Sequence, residues 1–196
     1  MKVEECLSVL KERWRDELAT LLGDERVALF PGRDLWPHEE GTTDATRDRE
    51  RLHVLDRLSQ PRSLVVVAPV QAVWERLMPR QAFLRRIRTI RVGERQDPRK
   101  LAAWLVSAGY RREELVEQMG RFALRGQSLD VFPPTAELPL RIDFFDDEVD
   151  ALRLFDPDSQ RSLEGTEEAR IPPALEFLYE PDPTVLERIR AAAREQ

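Results

Sequence analysis

The amino-acid sequence predicts an α/β protein that combines two kinds of strand. Residues 64–68 are apolar at every position, which is typical of a strand covered on both faces of a parallel sheet. Helical stripes alternate with such strands before residue 85, and this alternation favours a parallel α/β layer. Residues 121–155 instead hold four short segments in which apolar and polar residues alternate. An antiparallel meander with one buried and one open face is expected there.

The first 85 residues contain apolar stripes with helical spacing, interrupted by turn signals. Gly23 stands where the first helix should end, and Pro31-Gly32 stops the short strand that follows it. In chain order the pattern predicts a helix over residues 3–22, a strand over 27–30, a loop over 31–43, a helix over 44–58, the strand over 64–68 and a helix from 70. The stripes are Val3, Leu7, Leu10, Trp14, Leu18 and Leu21 on the first helix, and Val70, Val73, Trp74 and Leu77 on the last.

After residue 85 the pattern changes to alternating strands around one helix. Asp97-Pro98 is a strong helix start, because Asp caps a first turn and Pro fits it, and Gly109 marks the end of that helix. Asp182-Pro183 predicts a further helix near the end of the chain. The inward side of the meander is predicted to be Phe122, Leu124, Leu129, Val131, Leu140, Ile142, Phe144, Leu152 and Leu154. The outward side is predicted to be Arg121, Ala123, Arg125, Asp130, Phe132, Arg141, Asp143, Phe145, Arg153 and Phe155.

Charge is distributed unevenly along the chain, whose net charge is −6. Residues 1–84 carry a net −2, residues 85–126 a net +6 and residues 127–196 a net −10. Such asymmetry indicates a directional surface field and favours a charged partner. For the basic stretch 85–100, plain solvation of a helix face and nucleic-acid binding both stay open at this point.

The motifs of common catalytic sites are absent from the sequence. It has no G-x-x-x-x-G-K-[ST] phosphate loop and no G-x-S-x-G nucleophile elbow. Cys6 is the only cysteine, and His38 and His53 lack other ligands at metal-binding spacing. The acidic cluster at residues 146–150 lies between two alternating segments, so a hairpin turn is favoured over a metal site. We therefore expect a non-catalytic module without cofactor or metal. Because no apolar run approaches the roughly 18 residues of a membrane span, we also expect a cytoplasmic protein.

The predicted outward face of the meander mixes arginine, phenylalanine and aspartate and contains no lysine. Arginine and aromatic residues are enriched where proteins bind one another, and the guanidinium fork matches a carboxylate. One alternative is that the arginines pair with aspartates across strands while the phenylalanines pack beneath a loop. Another is that arginine and aromatic rings hold single-stranded nucleic acid, although the acidic segment that follows opposes a surface that tracks phosphates.

An ordered series of motifs resembles the UvrB-homology region of the transcription-repair coupling factors, and UvrB itself has a similar region. The motifs are AGYRR at 108–112, GRFALRG at 120–126, LDVFP at 129–133, LRIDFFDDEVD at 140–150 and FDPDSQRS at 155–162. Upstream, FP at 30–31, WPHE at 36–39 and VVAPVQAV at 66–73 also resemble this family. The resemblance therefore covers nearly the whole chain.

The resemblance implies a degenerate helicase-like parallel α/β layer with an inserted small α/β domain that carries the meander. The first part of the layer would comprise residues 1–85, the inserted domain residues 86–165, and the return to the first layer residues 166–196. The family's first strand and nucleotide-loop region have no counterpart here, so the layer is expected to be incomplete.

The resemblance also implies a function, which is recruitment of UvrA to nucleotide excision repair coupled to transcription. The UvrA-contacting residues of the family correspond to Arg112, Arg125 and Asp143. Asp143 is expected either to accept from a basic group of UvrA or to orient Arg125. A further arginine of UvrB corresponds to Ala123, and Arg111 and Arg121 are the nearest substitutes. Phe132 is expected to be an apolar anchor beside them. In a full-length parent, RNA polymerase and DNA would be bound through other domains, and ATP-driven translocation on DNA would belong to later ones.

Overall fold

The computed structural model describes residues 3–32, 45–75 and 77–176. The helices are α1 (Val3–Leu22), α2 (Ala45–Ser59), α3 (Val70–Trp74), α4 (Arg80–Arg85) and α5 (Pro98–Ser107). The strands are β1 (Val27–Leu29), β2 (Val65–Val67), β3 (Arg88–Arg91), β4 (Arg111–Arg112), β5 (Arg121–Arg125), β6 (Ser128–Phe132), β7 (Leu140–Phe145), β8 (Glu148–Phe155), β9 (Ser162–Thr166) and β10 (Glu168–Ile171). Most of the loop expected over 31–43 and the helix expected after Asp182 lie outside the described residues. None of the described helices is long and apolar enough to cross a membrane.

A two-stranded parallel sheet forms the N-terminal layer, with β1 and β2 paired from Val27 opposite Val65. The parallel arrangement predicted for residues 64–68 is therefore confirmed. The prediction that this strand is covered on both faces is wrong, because Val65 keeps 37% of its surface exposed. Among the described residues, β1 is the one strand that pairs with β2.

The stripe predicted for α1 lies on one helix, whereas α3 ends before Leu77, and the described members of both stripes are mostly exposed. On α1, Trp14 is 60% exposed and Leu21 79%. On α3, Val73 and Trp74 are also mostly exposed, and the buried residue is Ala72. A helix of five residues presents too little length to bury a full stripe. The small core of this layer is instead Ala28, Phe30, Val54 and Ala72.

The larger core lies between α5 and a six-stranded sheet in the order β4-β5-β6-β7-β8-β9. Its strands pair antiparallel except for β4 with β5. The predicted helix start is confirmed, because the Asp97 side chain accepts hydrogen bonds from the backbone N–H groups of Arg99 and Lys100. Alternation is confirmed on this side of the sheet, where the buried side chains include Leu101, Leu105, Phe122, Leu129, Val131, Leu140, Ile142, Phe144 and Leu152.

A second two-stranded sheet joins the beginning and end of this region, because β10 pairs antiparallel with β3. Ile171 of β10 is fully buried in the larger core. Strand β10 therefore packs with β3 and the larger core, which belong to the predicted inserted domain. The boundary predicted at residues 165/166 would instead place β10 in the returning part of the first layer. The division into three segments stays a prediction.

Tyr110 anchors the end of β10 from within the larger core. Its hydroxyl donates a hydrogen bond of 2.7 Å to the carbonyl of Pro172. Burial, and to a lesser extent the charge of Asp56, raises the pKa of Tyr110 well above its ordinary value. The fold therefore disfavours ionised Tyr110. The resulting stability is complete below the ordinary pKa of about 10 and is lost as the pH rises above it.

Replacing Tyr110 with phenylalanine is expected to lower the free energy of unfolding by about 1 kcal/mol at neutral pH, since the Pro172 carbonyl loses its donor. Above pH 10 the unsubstituted protein should lose stability faster than Tyr110→Phe, which has no hydroxyl to ionise. Urea unfolding at pH 7.5 and at pH 10.5 measures both effects. If the unsubstituted protein and Tyr110→Phe were equally stable at each of the two pH values, the role assigned to the hydroxyl would be contradicted.

Candidate protein-binding site

The outer face of the six-stranded sheet, opposite α5, carries its side chains in rows set by strand register. Alternation turns every second residue of a strand to this face. The first row is Arg111, Arg121 and Phe132; the second is Ala123, Asp130, Arg141 and Arg153; the third is Arg125, Ser128 and Asp143. Phe145 lies one step beyond the third row, opposite Glu148.

A segment before β5, residues 113–119, covers one half of this face, and we call it the strap. Its Val116 is fully buried and packs with Ala123, Phe132 and Phe155. Arg121 forms an ion pair of 2.8 Å with Glu113 of the strap. Gln160 donates to the Val116 carbonyl at 3.3 Å. The prediction that the whole outer face is open is therefore wrong for this half.

Two predictions about individual residues change because of the strap. Phe132 is 5% exposed, so the expected surface anchor is wrong: the ring packs beneath the strap. Ala123 is 1% exposed in the same cluster. An arginine at position 123, which the resemblance implies for UvrB, would have to displace the strap here. For Phe132 and Phe155, the alternative of phenylalanine packed beneath a loop is the arrangement observed.

The other half of the face is open, and we call it the open half, with Arg125, Asp143, Arg153 and Phe145 as its members. The side chains of Arg125 and Arg153 are 50% and 47% exposed, and that of Asp143 is 24% exposed. A tight turn after β5, in which Gly126 has φ of 58°, places Arg125 at the end of its strand.

Asp130 organises the arginines at the border between the two halves. It is 3% exposed and accepts from Arg125 Nη2 at 2.9 Å. It also accepts from Arg141 Nε at 2.7 Å and from Arg141 Nη2 at 2.9 Å, a two-pronged contact. The hydrogen bond that Arg141 donates to Asp130 raises the pKa of Arg141; burial opposes this rise, and the charges of Asp130 and Asp143 add to it. The Arg141 guanidinium also lies over the Phe155 ring, 4.6 Å from its centre.

The expectation that Asp143 orients Arg125 is wrong, because Asp143 accepts from Arg153 instead. Arg125 and Asp143 share a row, but Ser128 stands between them on β6. Asp130 lies diagonally across a single strand boundary and is therefore closer. Asp130 and Arg141 were both on the predicted outward side, but no local signal separated them from the other charged residues there.

Arg111 and Arg112 lie on the edge strand β4 and are both exposed. Neither side chain makes a hydrogen bond or ion pair with another described residue, although the backbone N–H of Arg111 donates to the Gly120 carbonyl. Register places Arg111 in the first row, whereas Arg112 is aligned with Phe122, whose ring points to the α5 side. The structure therefore brings Arg125 and Asp143 onto one half-face and leaves Arg112 at the sheet margin.

Arginines of the basic stretch 85–100 contact side chains of neighbouring elements. Arg91 pairs with Glu168 at 2.7 Å, and Arg88 lies over the Trp104 ring at 5.1 Å. The backbone N–H of Gln96 donates to the Asp147 carbonyl, which brings the acidic β7–β8 hairpin beside the stretch. The hairpin turn expected there is confirmed, with Phe145 opposite Glu148. No metal-binding group of three or more ligands occurs among the described residues. The contacts of Arg88 and Arg91 and the neighbouring acidic hairpin weigh against the basic stretch as a surface that binds nucleic-acid phosphates.

Comparison with known proteins identifies the region that carries this face. Residues 89–177 match the model of a family described as the UvrB interaction domain. This region of the chain is similar to that family, and we call residues 89–177 the UvrB interaction domain after it. The domain includes the six-stranded sheet, the strap and the open half.

Similarity extends beyond the UvrB interaction domain to most of the chain. The transcription-repair-coupling factor of Bacillus subtilis is 38% identical over 167 residues, 85% of this chain. The proteins of that name from Escherichia coli and Haemophilus influenzae are 36% and 34% identical, over 84% and 89% of this chain. This chain spans 14–15% of the length of these three relatives. The resemblance to the coupling factors is therefore confirmed.

Proposed function

We propose that the chain is a non-catalytic UvrA-binding adaptor module of a transcription-repair coupling factor. It would recruit nucleotide excision repair to stalled RNA polymerase. The observation that carries the proposal is the open half of the UvrB interaction domain, where Arg125 is exposed yet held by the buried carboxylate of Asp130. Translocation on DNA and contacts with RNA polymerase and DNA would belong to other parts of the parent protein.

The charges of the open half suit a protein partner with charges of both signs. Arg125 uses one Nη atom on Asp130 and keeps half of its side chain exposed, so its free donors can bind an acidic group of UvrA. Asp143 can accept from a basic group of UvrA. Arg111 and Arg112 extend the positive charge along the sheet edge, whereas Arg121 is engaged with Glu113.

Preorganisation is the physical advantage of this arrangement. A free arginine loses rotamer entropy when a partner immobilises it, and that loss weakens binding. Asp130 holds Arg125 before the partner arrives, and β6 holds Asp130 in the sheet. Part of the ordering cost is therefore met by the folding of the domain itself.

Replacing Arg125 with alanine is expected to weaken UvrA binding tenfold or more, since loss of a desolvated interfacial charge commonly costs about 2–5 kcal/mol. Titration calorimetry with UvrA of the same organism measures the change. Arg91→Ala is the matched control, because it removes an arginine from an exposed ion pair on β3, outside the six-stranded sheet. The affinity of Arg91→Ala for UvrA should stay close to that of the unsubstituted chain.

The same titration with Arg112→Ala tests the sheet margin. Unchanged affinity for both Arg112→Ala and Arg125→Ala, with circular dichroism showing intact folds, would contradict the proposed site. Absence of UvrA binding by the unsubstituted chain would contradict the proposed function itself.

A further inference from the structure

Phe145 is the most exposed aromatic side chain among the described residues of the UvrB interaction domain, with 75% of its surface accessible. Alternation along β7 explains the exposure: Phe144 points into the larger core, so Phe145 points to the outer face with Asp143. The strap reaches Phe132 and Phe155 but leaves this end of the face uncovered. The domain thus buries two outer-face phenylalanines and exposes a third.

The surroundings of Phe145 are acidic. Asp146 and Asp147 form the turn that follows it, and Glu148 is its cross-strand neighbour. All three are exposed, and none forms an ion pair with another described residue. On the opposite side of Asp143, the open half presents Arg125 and Arg153, each partly neutralised by an aspartate. The Phe145 ring therefore lies between the acidic side chains of the hairpin and the mixed charges of the open half.

We propose that Phe145 is the apolar anchor of the partner-binding surface and inserts into an apolar pocket of UvrA that is bordered by basic groups. This inference rests on the proposed function and adds a residue and a pocket chemistry to it. Aromatic rings dominate the buried centre of protein interfaces, and charged groups around them exclude water and select the partner. The exposed carboxylates of Asp146 and Asp147 favour a basic border on the partner, whereas Glu148 lies opposite Arg95 of this chain across an isolated antiparallel bridge and contributes less.

Other exposed apolar residues of the domain lack this setting. Leu163 is 58% exposed on the edge strand β9, and Val106 is 58% exposed on α5, behind the sheet. Neither belongs to the open half. Leu163 therefore provides a matched control, because it is a large exposed apolar residue of the same sheet outside the proposed contact.

The test compares Phe145→Ala and Leu163→Ala in titration calorimetry with UvrA of the same organism, at 50 mM and 300 mM salt. Phe145→Ala is expected to weaken binding about tenfold at both salt concentrations, because the lost contact is apolar. Leu163→Ala is expected to leave the affinity within about twofold. The double variant Asp146→Lys/Asp147→Lys is expected to weaken binding mainly at low salt, where charge repulsion is least screened. Thermal unfolding should be nearly unchanged for Phe145→Ala and Leu163→Ala, whose side chains are exposed, whereas the lysine variant should unfold at a somewhat lower temperature because Asp146 has a φ of 56°.

Each outcome decides one proposal. If Arg125→Ala weakens binding and Phe145→Ala does not, the anchor is overturned and the proposed function stands. If the lysine variant binds as well as or better than the unsubstituted chain, the basic border is overturned. If the unsubstituted chain does not bind UvrA, both the anchor and the proposed function are overturned.

Discussion

Replacing Arg51 with methionine is expected to lower the free energy of unfolding by about 3–5 kcal/mol, the range for removing one partner of a buried ion pair. Arg51 of α2 is 0% exposed, and its Nε and Nη2 donate to the Glu176 carboxylate at 2.8 and 3.0 Å. Its Nη1 donates to the Pro31 carbonyl at 2.7 Å. Methionine fills much of the space but removes the two hydrogen bonds and the positive charge that Arg51 provides to the buried Glu176 carboxylate.

Two further contacts make Arg51 difficult to replace. Glu75 lies 2.9 Å from its Nη2 as an ion pair outside hydrogen-bond alignment, and the Phe30 ring is 4.3 Å from its guanidinium carbon. Burial alone would lower the pKa of Arg51, but the hydrogen bond and charge of Glu176, with Glu75 and Asp48, raise it above its ordinary value. The guanidinium therefore stays charged at every pH at which the protein folds.

Urea unfolding followed by circular dichroism measures the Arg51→Met effect. Arg13→Met is the matched control, since Arg13 forms an exposed pair with Glu17 on α1 and such pairs contribute about 0–1 kcal/mol. A loss below 1 kcal/mol for Arg51→Met would show that the buried pair does not hold α2 to the end of the described chain.

Replacing Asp130 with asparagine is expected to have the second largest effect, about 2 kcal/mol of stability and a tenfold loss of UvrA affinity. Charged hydrogen bonds contribute about 1.5–3 kcal/mol each. The expected loss is well below their sum, because asparagine keeps one acceptor oxygen and because the side chains of Arg141 and Arg125 are 21% and 50% exposed, so that water can replace some contacts. Asparagine keeps the shape of Asp130 but loses the charge and one acceptor oxygen.

The orienting role of Asp130 is separated from its structural role by a double-mutant cycle. Urea unfolding gives the stability loss, and titration with UvrA well below the unfolding midpoint gives the affinity loss. Arg125→Ala should cost less affinity in the Asp130→Asn background than in the unsubstituted chain, because Arg125 is no longer held. Equal costs in both backgrounds would contradict the orienting role. Glu168→Gln, on an exposed pair with Arg91, should change neither quantity appreciably.

Features set by local periodicity could be predicted from the sequence. The inward row of the meander, including Phe122, Ile142 and Leu152, follows from alternation alone. The start of α5 follows from Asp97-Pro98. In each case the determining residues are neighbours along the chain, and the backbone geometry acts on them directly.

Features set by contacts distant in sequence could not be predicted in this way. Phe132 and Phe155 alternate like exposed residues, and their burial depends on where the strap crosses the sheet. The pairing of Arg125 with Asp130 instead of Asp143 depends on strand register, which no single segment encodes. The partner itself was suggested by the family resemblance, since an Arg/Phe/Asp face is compatible with ordinary cross-strand pairing, part of which the structure contains.

The ion pair of Arg51 and Glu176 joins the N-terminal layer to the UvrB interaction domain. Separating the two parts would therefore affect their stabilities unequally. A fragment cut at the boundaries of the UvrB interaction domain keeps Glu176 at its end, where its carboxylate becomes hydrated and needs no partner. A fragment limited to the N-terminal layer keeps Arg51 in its interior and loses the carboxylate of Glu176. For this ion pair, the separated N-terminal layer is therefore expected to lose more stability than the separated domain.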